Sequence, residues 1–287
     1  MKVIVFGSRH KVDQAESISQ FLIALSGVCK LVVERKFNEF IHRSLHLDID
    51  TSVLDDDIPL DVDFVISIGG DGTFLRASHF VGRKEIPIWA VNSGRLGFLT
   101  DVDCSEAVNL VGHLECGDYN IESRSLLKAQ VGKDFTGYAL NEVALMKRET
   151  GSIITIDTYL DTDYLAAYDA DGLIVATPTG STAYSLSVNG PIMTPDCHDF
   201  ILSPVAPHTL NMRPLVVPDD LTLSMHVYSR SESFLLSLDG KAYPFSCGTP
   251  IEITKADYVV RTVKVSKASF ADTLRRKLMW GANVRQG

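Results

Sequence analysis

Ile68-Gly69-Gly70-Asp71-Gly72-Thr73 carries the sharpest chemical signal in the chain. Three glycines within four positions strip side chains from a turn, so backbone N–H groups can approach an anion at the start of a helix. An apolar run precedes the turn, and Phe74, Leu75, Ala77 and Phe80 follow it at helical spacing. The pattern is neither the dinucleotide fingerprint GxGxxG nor the Walker sequence GxxxxGK[ST]. Asp71 in its middle would repel a phosphate unless a metal ion or a proton transfer gives the carboxylate a use. Two readings stay open. Asp71 is a general base that takes the proton of an attacking hydroxyl while the glycines hold a phosphoryl group, or it caps the helix in a tight turn.

Other groups could meet a nucleoside or an anion. Asn141 offers amide donors and a carbonyl acceptor beside the carboxylate of Glu142, a pair that suits a nucleoside, although from these residues alone an exposed strand end is the preferred reading. Thr177, Thr179, Ser181 and Thr182 surround Pro178 and Gly180, which predicts a capped helix running through Tyr184 and Ser187. A hydroxyl-lined helix start is also an anion site. Tyr184 could stack on a ring, although an aromatic at a helix start is more often core. Asp239-Gly240, between the apolar runs 234–238 and 242–245, is a hairpin signal, and the turn reading is preferred for both residues. His10, His42, His46, His79, His113, His198, His208 and His226 show no ligand spacing, so no protein metal site is expected. Arg275-Arg276-Lys277 reads as a solvated helix face that complements the helix dipole.

These residues need elements to hold them. Over the first hundred residues, β-rich runs at 3–6, 31–33, 62–68 and 86–91 alternate with helical patterns, the sequence form of a doubly wound parallel sheet. Val12, Ala15, Ile18, Leu22 and Leu25 predict an amphipathic helix with Gly27 as its stop. The stretch 45–63, with Asp55-Asp56-Asp57, reads as a solvated acidic connection. Beyond about residue 101 the period becomes two: Ile154, Ile156, Thr158 and Leu160 alternate with polar neighbours, as do Leu221, Leu223, Met225 and Val227. Further runs at 235–238 and 259–265 complete a mostly antiparallel second domain, sandwich or barrel. From Ala268, the spacing of Phe270, Leu274 and Leu278 predicts a helix closed by Trp280-Gly281 that returns to the first domain. The expected domains are therefore 1–101 with 266–287, and 102–265.

Composition bounds the function. A chain of 287 residues, 45% hydrophobic and 22% charged, is expected to be a soluble globular protein of roughly two domains. Net charge of −9 argues against general binding to nucleic acid or anionic membranes, so an anionic substrate would need a local positive potential. Cys29, Cys104, Cys116, Cys197 and Cys247 are odd in number and lack CxxC spacing, which suits buried fillers in a reducing compartment. With residues 1–7 reading as a strand rather than a signal peptide, a cytoplasmic protein is expected.

Gly69-Gly70-Asp71-Gly72-Thr73 resembles the signature of NAD kinases and of the wider superfamily that holds 6-phosphofructokinases and diacylglycerol and sphingosine kinases. The blocks Asn92-Ser93-Gly94-Arg95-Leu96-Gly97-Phe98-Leu99, Asn141-Glu142 and 171–184, with the ending Thr273-Leu274-Arg275-Arg276-Lys277-Leu278, are similar to the NAD kinase pattern in order and spacing. The resemblance implies an α/β N-terminal domain with a Rossmann- or flavodoxin-like sheet, a β-sandwich-like C-terminal domain, a cleft between them, and a homodimer or homotetramer. It implies transfer of the γ-phosphate of ATP to the adenosine ribose 2′-hydroxyl of NAD, giving NADP, with Mg²⁺ or another divalent cation arriving on ATP and Asp71 as base. By the same resemblance Gly69, Gly70, Gly72 and Thr73 hold the donor phosphates, since no Walker lysine is present. Gly72 and Arg76 lie beside the dinucleotide, Asn141 and Glu142 meet its adenosine end, and Asp169, Asp171, Thr182, Ala183, Tyr184, Ser185 and Ser187 line its pocket. Lys241 lies near the bound nucleotide where relatives often have Gln. The chain departs from the pattern at Asp169, where many relatives carry a basic residue, and at Asn189, where glycine is usual and Asn tolerates positive φ. A lipid or sugar kinase of the superfamily would share the glycine turn but have no use for 177–184. A non-catalytic NADP-binding sensor would keep the pocket alone.

Overall fold

Short, fully apolar runs alternating with amphipathic helices build the N-terminal unit. The computed structural model describes residues 1–8, 14–54, 58–59, 61–94, 97–100, 102–149, 151, 153–266 and 268–281. Val12, His10, Asp55-Asp56-Asp57, Arg95 and Leu96 lie outside the described residues. The first elements are β1 (Lys2–Gly7), α1 (Ala15–Val28), β2 (Lys30–Val33), α2 (Arg35–Arg43), β3 (Thr51–Val53), β4 (Phe64–Gly69), α3 (Asp71–Val81), β5 (Ile88–Asn92), β6 (Val102–Asp103), α4 (Cys104–Cys116) and β7 (Asn120–Arg124). Helix α1 buries Ile18, Leu22 and Leu25 of the predicted stripe together with Phe21, leaves Ala15 half-buried, and runs through Gly27 to Val28. The stretch 45–63 is more than a solvated connection: it supplies β3, which pairs with β2, and Leu45, Leu47 and Ile49 pack against the core.

The second unit holds β8 (Leu127–Val131), β9 (Phe135–Ala139), β10 (Glu142–Lys147), β11 (Ile154–Leu160), β12 (Asp163–Ala170), β13 (Gly172–Ala176), α5 (Tyr184–Ser187), β14 (Asp199–Val205), β15 (Leu215–Pro218), β16 (Leu223–Ser229), β17 (Ser233–Leu238), β18 (Lys241–Ser246) and β19 (Ile251–Lys255). They form two six-stranded sheets, ordered β15-β14-β13-β10-β17-β18 and β12-β11-β16-β19-β8-β9. Alternate residues of both sheets, among them Val143, Leu173 and Phe234 from one and Ile156, Met225 and Ile253 from the other, share one core. The unit is thus a sandwich.

The chain then returns through β20 (Val260–Lys264) and α6 (Phe270–Leu278) to the first unit, whose sheet runs β3-β2-β1-β4-β5-β20-β7, with β6 on β5. Contacts group residues 1–123 with 260–287, and 124–259 by themselves. The first unit therefore extends past the change of texture near residue 101, because β6, α4, β7 and β20 all belong with the parallel sheet. The order β3-β2-β1-β4-β5 is parallel throughout and reverses direction between β1 and β4. In such sheets ligands bind outside the carboxyl ends of the strands at this switch point. Those ends are Gly7 and Gly69.

Candidate active site

Strand β4 is buried from Phe64 to Gly69 and delivers the chain to the switch point. Gly70 is the N-cap of α3 and Asp71 its first residue. Asp71 does not cap its own helix. Its carboxylate turns to the 97–99 segment, where Phe98 N donates to Oδ2 at 3.0 Å and Leu99 N to Oδ1 at 3.1 Å. A Cβ at Gly97 would overlap Asp71 Oδ1, so only glycine lets this backbone close on the acid. The segment is itself tied down by Gly97 N donating to the buried Thr100 Oγ1 at 2.9 Å. Around Gly70 and Gly72, by contrast, nothing lies within 4 Å of where a side chain would begin. An ionised carboxylate has about four lone-pair sites. Two are spent on orientation here, which leaves acceptor capacity for a hydroxyl at the open turn.

Gly7, Ser8, Lys36, Gly70, Gly72, Thr73 and Arg76 line a cleft of about 470 Å³. The N-terminal turn of α3 contributes unpaired backbone donors, and Lys36 and Arg76 contribute cations. Arg76 is held in place, with Nη1 2.9 Å from Glu34 Oε1 and Nη2 donating to Gly7 O at 3.0 Å. Exposed Lys36, early in α2, carries no sequence motif and was not singled out by spacing. Within a chain of net charge −9, this cleft is a local positive field suited to a phosphate chain.

The second unit assembles a different cluster. Asp239 and Gly240 turn the β17–β18 hairpin with φ of 46° and 84°, as the sequence predicts. Asp239 has a further task that local sequence did not reveal: it accepts from Leu140 N at 2.7 Å, Asn141 N at 2.8 Å and Glu142 N at 3.1 Å. From the other side Thr177 Oγ1 donates to Leu140 O at 2.6 Å and accepts from Gly180 N at 3.0 Å, while Thr177 N donates to Asn141 O. A Cβ at Gly180 would overlap Asn141 O. Asn141 and Glu142 are therefore a buried, backbone-clamped pair rather than an exposed strand end. Glu142 accepts from Tyr184 N, leaves Oε2 without a partner, and is raised to about 7 by burial and then by the charge of Asp239.

The hydroxyl-rich block does not form one capped helix. Thr179–Thr182 is a 3₁₀ turn, Ala183 breaks it at φ −102° and ψ −129°, and α5 is a separate single turn. Tyr184 is 40% exposed, which rules out the core reading. Ser185 is buried on Ser203, its Oγ 2.9 Å from Ser203 Oγ, whereas Ser187 is exposed. Thr182 Oγ1 donates to Thr179 O. Asp171 pairs with Lys147 at 2.6 Å, and Asp169 accepts from Thr155 Oγ1 at 2.6 Å on β11. Asn189 adopts φ 64°, the conformation a glycine would take. The Lys241 ammonium lies 5.3 Å from the centre of the Tyr243 ring. Among the described residues no group of three or more His, Cys, Asp or Glu forms a metal cage, and no helix is long and apolar enough to cross a membrane. Cys29 and Cys104 are buried, their thiols pushed up by burial to about 11 and about 12, whereas Cys116 is exposed and so departs from the filler reading.

The model of the ATP-NAD kinase N-terminal domain matches residues 4–119, and that of the C-terminal domain matches 140–265. The chain is 52% identical over 286 residues to an NAD kinase of Porphyromonas gingivalis, covering 99% of both proteins. The chain belongs to the NAD kinase family. An NAD kinase of Bacteroides fragilis is 42% identical over 289 residues, covering 99% of this chain and all of that one. Yeast NADH kinase in complex with NADH shares the fold, with a TM-score of 0.90 at 21% identity over the whole of this chain and 89% of that one. An Archaeoglobus fulgidus NAD kinase in complex with ATP has a TM-score of 0.68 at 25% identity, covering 93% and 95%. The protein is accordingly a phosphotransferase with an alcohol acceptor. The resemblance in the Gly69–Thr73 turn and the 171–184 block holds for the family and for the two-domain fold.

Two variants test this geometry. Gly97→Ala forces Asp71 and the 97–99 backbone apart and should cost about 1–3 kcal/mol in chemical denaturation, the usual penalty of overpacking. An unchanged midpoint would mean that the segment yields freely. Glu142 titrates higher in the folded chain than its ordinary value of 4.5, so its proton is a source of stability at low pH that is lost as pH rises through about 7. Glu142→Gln keeps the uncharged form, and its melting temperature should gain on the parent between about pH 5 and pH 8. A constant difference across that range would contradict the assignment.

Proposed function

We propose that the chain transfers the γ-phosphate of ATP to the 2′-hydroxyl of the adenosine ribose of NAD, with Asp71 as general base. The observation that supports this reading is the half-buried Asp71 carboxylate, fixed by two backbone N–H bonds next to a glycine turn that lines a cleft with Lys36 and Arg76. The hydroxyl gives its proton to Asp71 as its oxygen bonds to the γ-phosphorus, the bridging bond to the β-phosphate breaks, and ADP leaves. Such transfer is catalysed chiefly by position and charge. The α3 N-terminus, Lys36 and Arg76 hold the donor phosphates; Arg76, which the resemblance puts beside the dinucleotide, shares this cleft with Gly70, Gly72 and Thr73. A divalent cation arriving on ATP would be held by those phosphates and would offset their charge.

In the second unit Asn141 and Glu142 provide amide and carboxyl groups for the sugar hydroxyls, and Tyr184 exposes a ring on which a base can stack. The P. gingivalis and B. fragilis relatives, both named NAD kinase, support the acceptor, and the A. fulgidus complex supports ATP as donor. Asp169, hydrogen-bonded to Thr155, reverses the charge that many relatives place there, so NADH needs its own assay beside NAD.

Asp71→Asn preserves shape and should lower kcat by about 10²- to 10⁴-fold in a coupled assay of NADP from NAD and Mg-ATP. Turnover within a few-fold of the parent removes Asp71 from proton transfer. Lys36→Ala should raise KM for ATP roughly 5- to 20-fold, the loss of one charge-assisted contact, and leave KM for NAD alone. Equal rises in both would take Lys36 out of the donor site.

A further inference from the structure

Three consecutive cations close α6, and each meets a different acid. Arg275 bonds Asp272 within its own helix, inside the capping box that Ser269 and Asp272 form. Arg276 is within electrostatic reach of Asp103, the N-cap of α4, and both line a second, polar cleft. Lys277 lies on neither. Its ammonium stands 4.5 Å from the centre of the Phe98 ring and feels the charge of Asp71. The same Phe98 donates its backbone N–H to Asp71 Oδ2. Lys277 is only partly exposed, so this run is not simply a solvated face.

A cation over an aromatic face is attracted by the ring quadrupole, the more so once water is excluded. The contact therefore fixes the ring and, through it, the backbone that aims Asp71. Burial lowers the pKa of Lys277, and the charge of Asp71 within electrostatic reach opposes that effect.

We propose that Lys277 is a positioning residue of the catalytic centre: α6 seats it on Phe98, where it steadies the backbone N–H that holds Asp71. The inference rests on the reading of Asp71 as the base. It assigns the C-terminal helix a part in catalysis that its solvated appearance in sequence conceals.

The test uses the full chain and four variants: Lys277→Met, which keeps the stem, Lys277→Arg, which keeps the charge, Asp71→Asn, and the double variant Lys277→Met with Asp71→Asn. Lys277→Met should lower kcat roughly tenfold and leave KM for both substrates within about twofold, the pattern of an interaction that matters only in the transition state. Lys277→Arg should recover most of the rate. In the Asp71→Asn background the same Lys277→Met change should cost less than about twofold, since residues that act as a unit are not additive. A change confined to KM, no recovery in Lys277→Arg, or the same tenfold loss in both backgrounds would overturn the proposal. Near-normal turnover of Asp71→Asn alone would overturn the base reading instead, so the two failures are told apart. If Lys277→Met melts too low to assay, Phe98→Leu removes the ring and should lower kcat with KM unchanged; unchanged kcat there counts against the proposal.

Discussion

Two backbone N–H groups, those of Phe98 and Leu99, converge on one carboxylate at the mouth of a parallel sheet. Much of the first unit exists to make that convergence possible. Strand β4 must be apolar enough to bury completely and end in glycine, so that α3 can begin at once with Asp71. Strand β5 must lie beside β4 in register, Gly69 against Asn92, so that the chain leaving β5 comes back over the turn. Gly97 must lack a side chain, and Thr100 must tie the returning segment. A carboxylate held this way is oriented by rigid backbone rather than by flexible side chains, which suits a group that must present its oxygens at a fixed point.

The second unit solves its own positioning problem by similar means. Asp239 sits at a hairpin turn and collects three consecutive backbone donors from residues 140–142, while Thr177 and the absent side chain of Gly180 hold the opposite side. The outcome is a buried Asn141–Glu142 pair whose carboxyl is pushed by burial and by Asp239 into the neutral range. Near physiological pH that group can either donate to or accept from a sugar hydroxyl, an adaptability that an exposed glutamate at its ordinary value lacks.

Much of this was legible in the residues themselves, for identifiable reasons. Glycine spacing, the alternation in β11 and β16 and the Asp239-Gly240 turn are local signals, and the structure keeps them. What stayed hidden depends on partners far along the chain. Nothing near Asp71 announces Phe98 and Leu99, nothing near Asp239 announces Leu140, and Lys36 becomes a cleft residue only because α2 starts beside the ends of β1 and β4. The 177–187 block misled for a different reason: Thr177 Oγ1 does accept from Gly180 N in a turn, but the backbone at Ala183 ends it. The first unit also reaches further than its texture indicates, since β20 is contributed by chain that follows the sandwich.

The central claim is that Asp71 takes the proton from the acceptor hydroxyl. A crystal structure of the chain with NAD and a non-hydrolysable ATP analogue tests it most directly. The account predicts the adenosine ribose 2′-oxygen at hydrogen-bond distance from an Asp71 carboxylate oxygen, about 2.6–3.2 Å, with the terminal phosphate of the analogue on its far side. A 2′-oxygen bonded to some other side chain, with Asp71 turned away and no water between them, would contradict it.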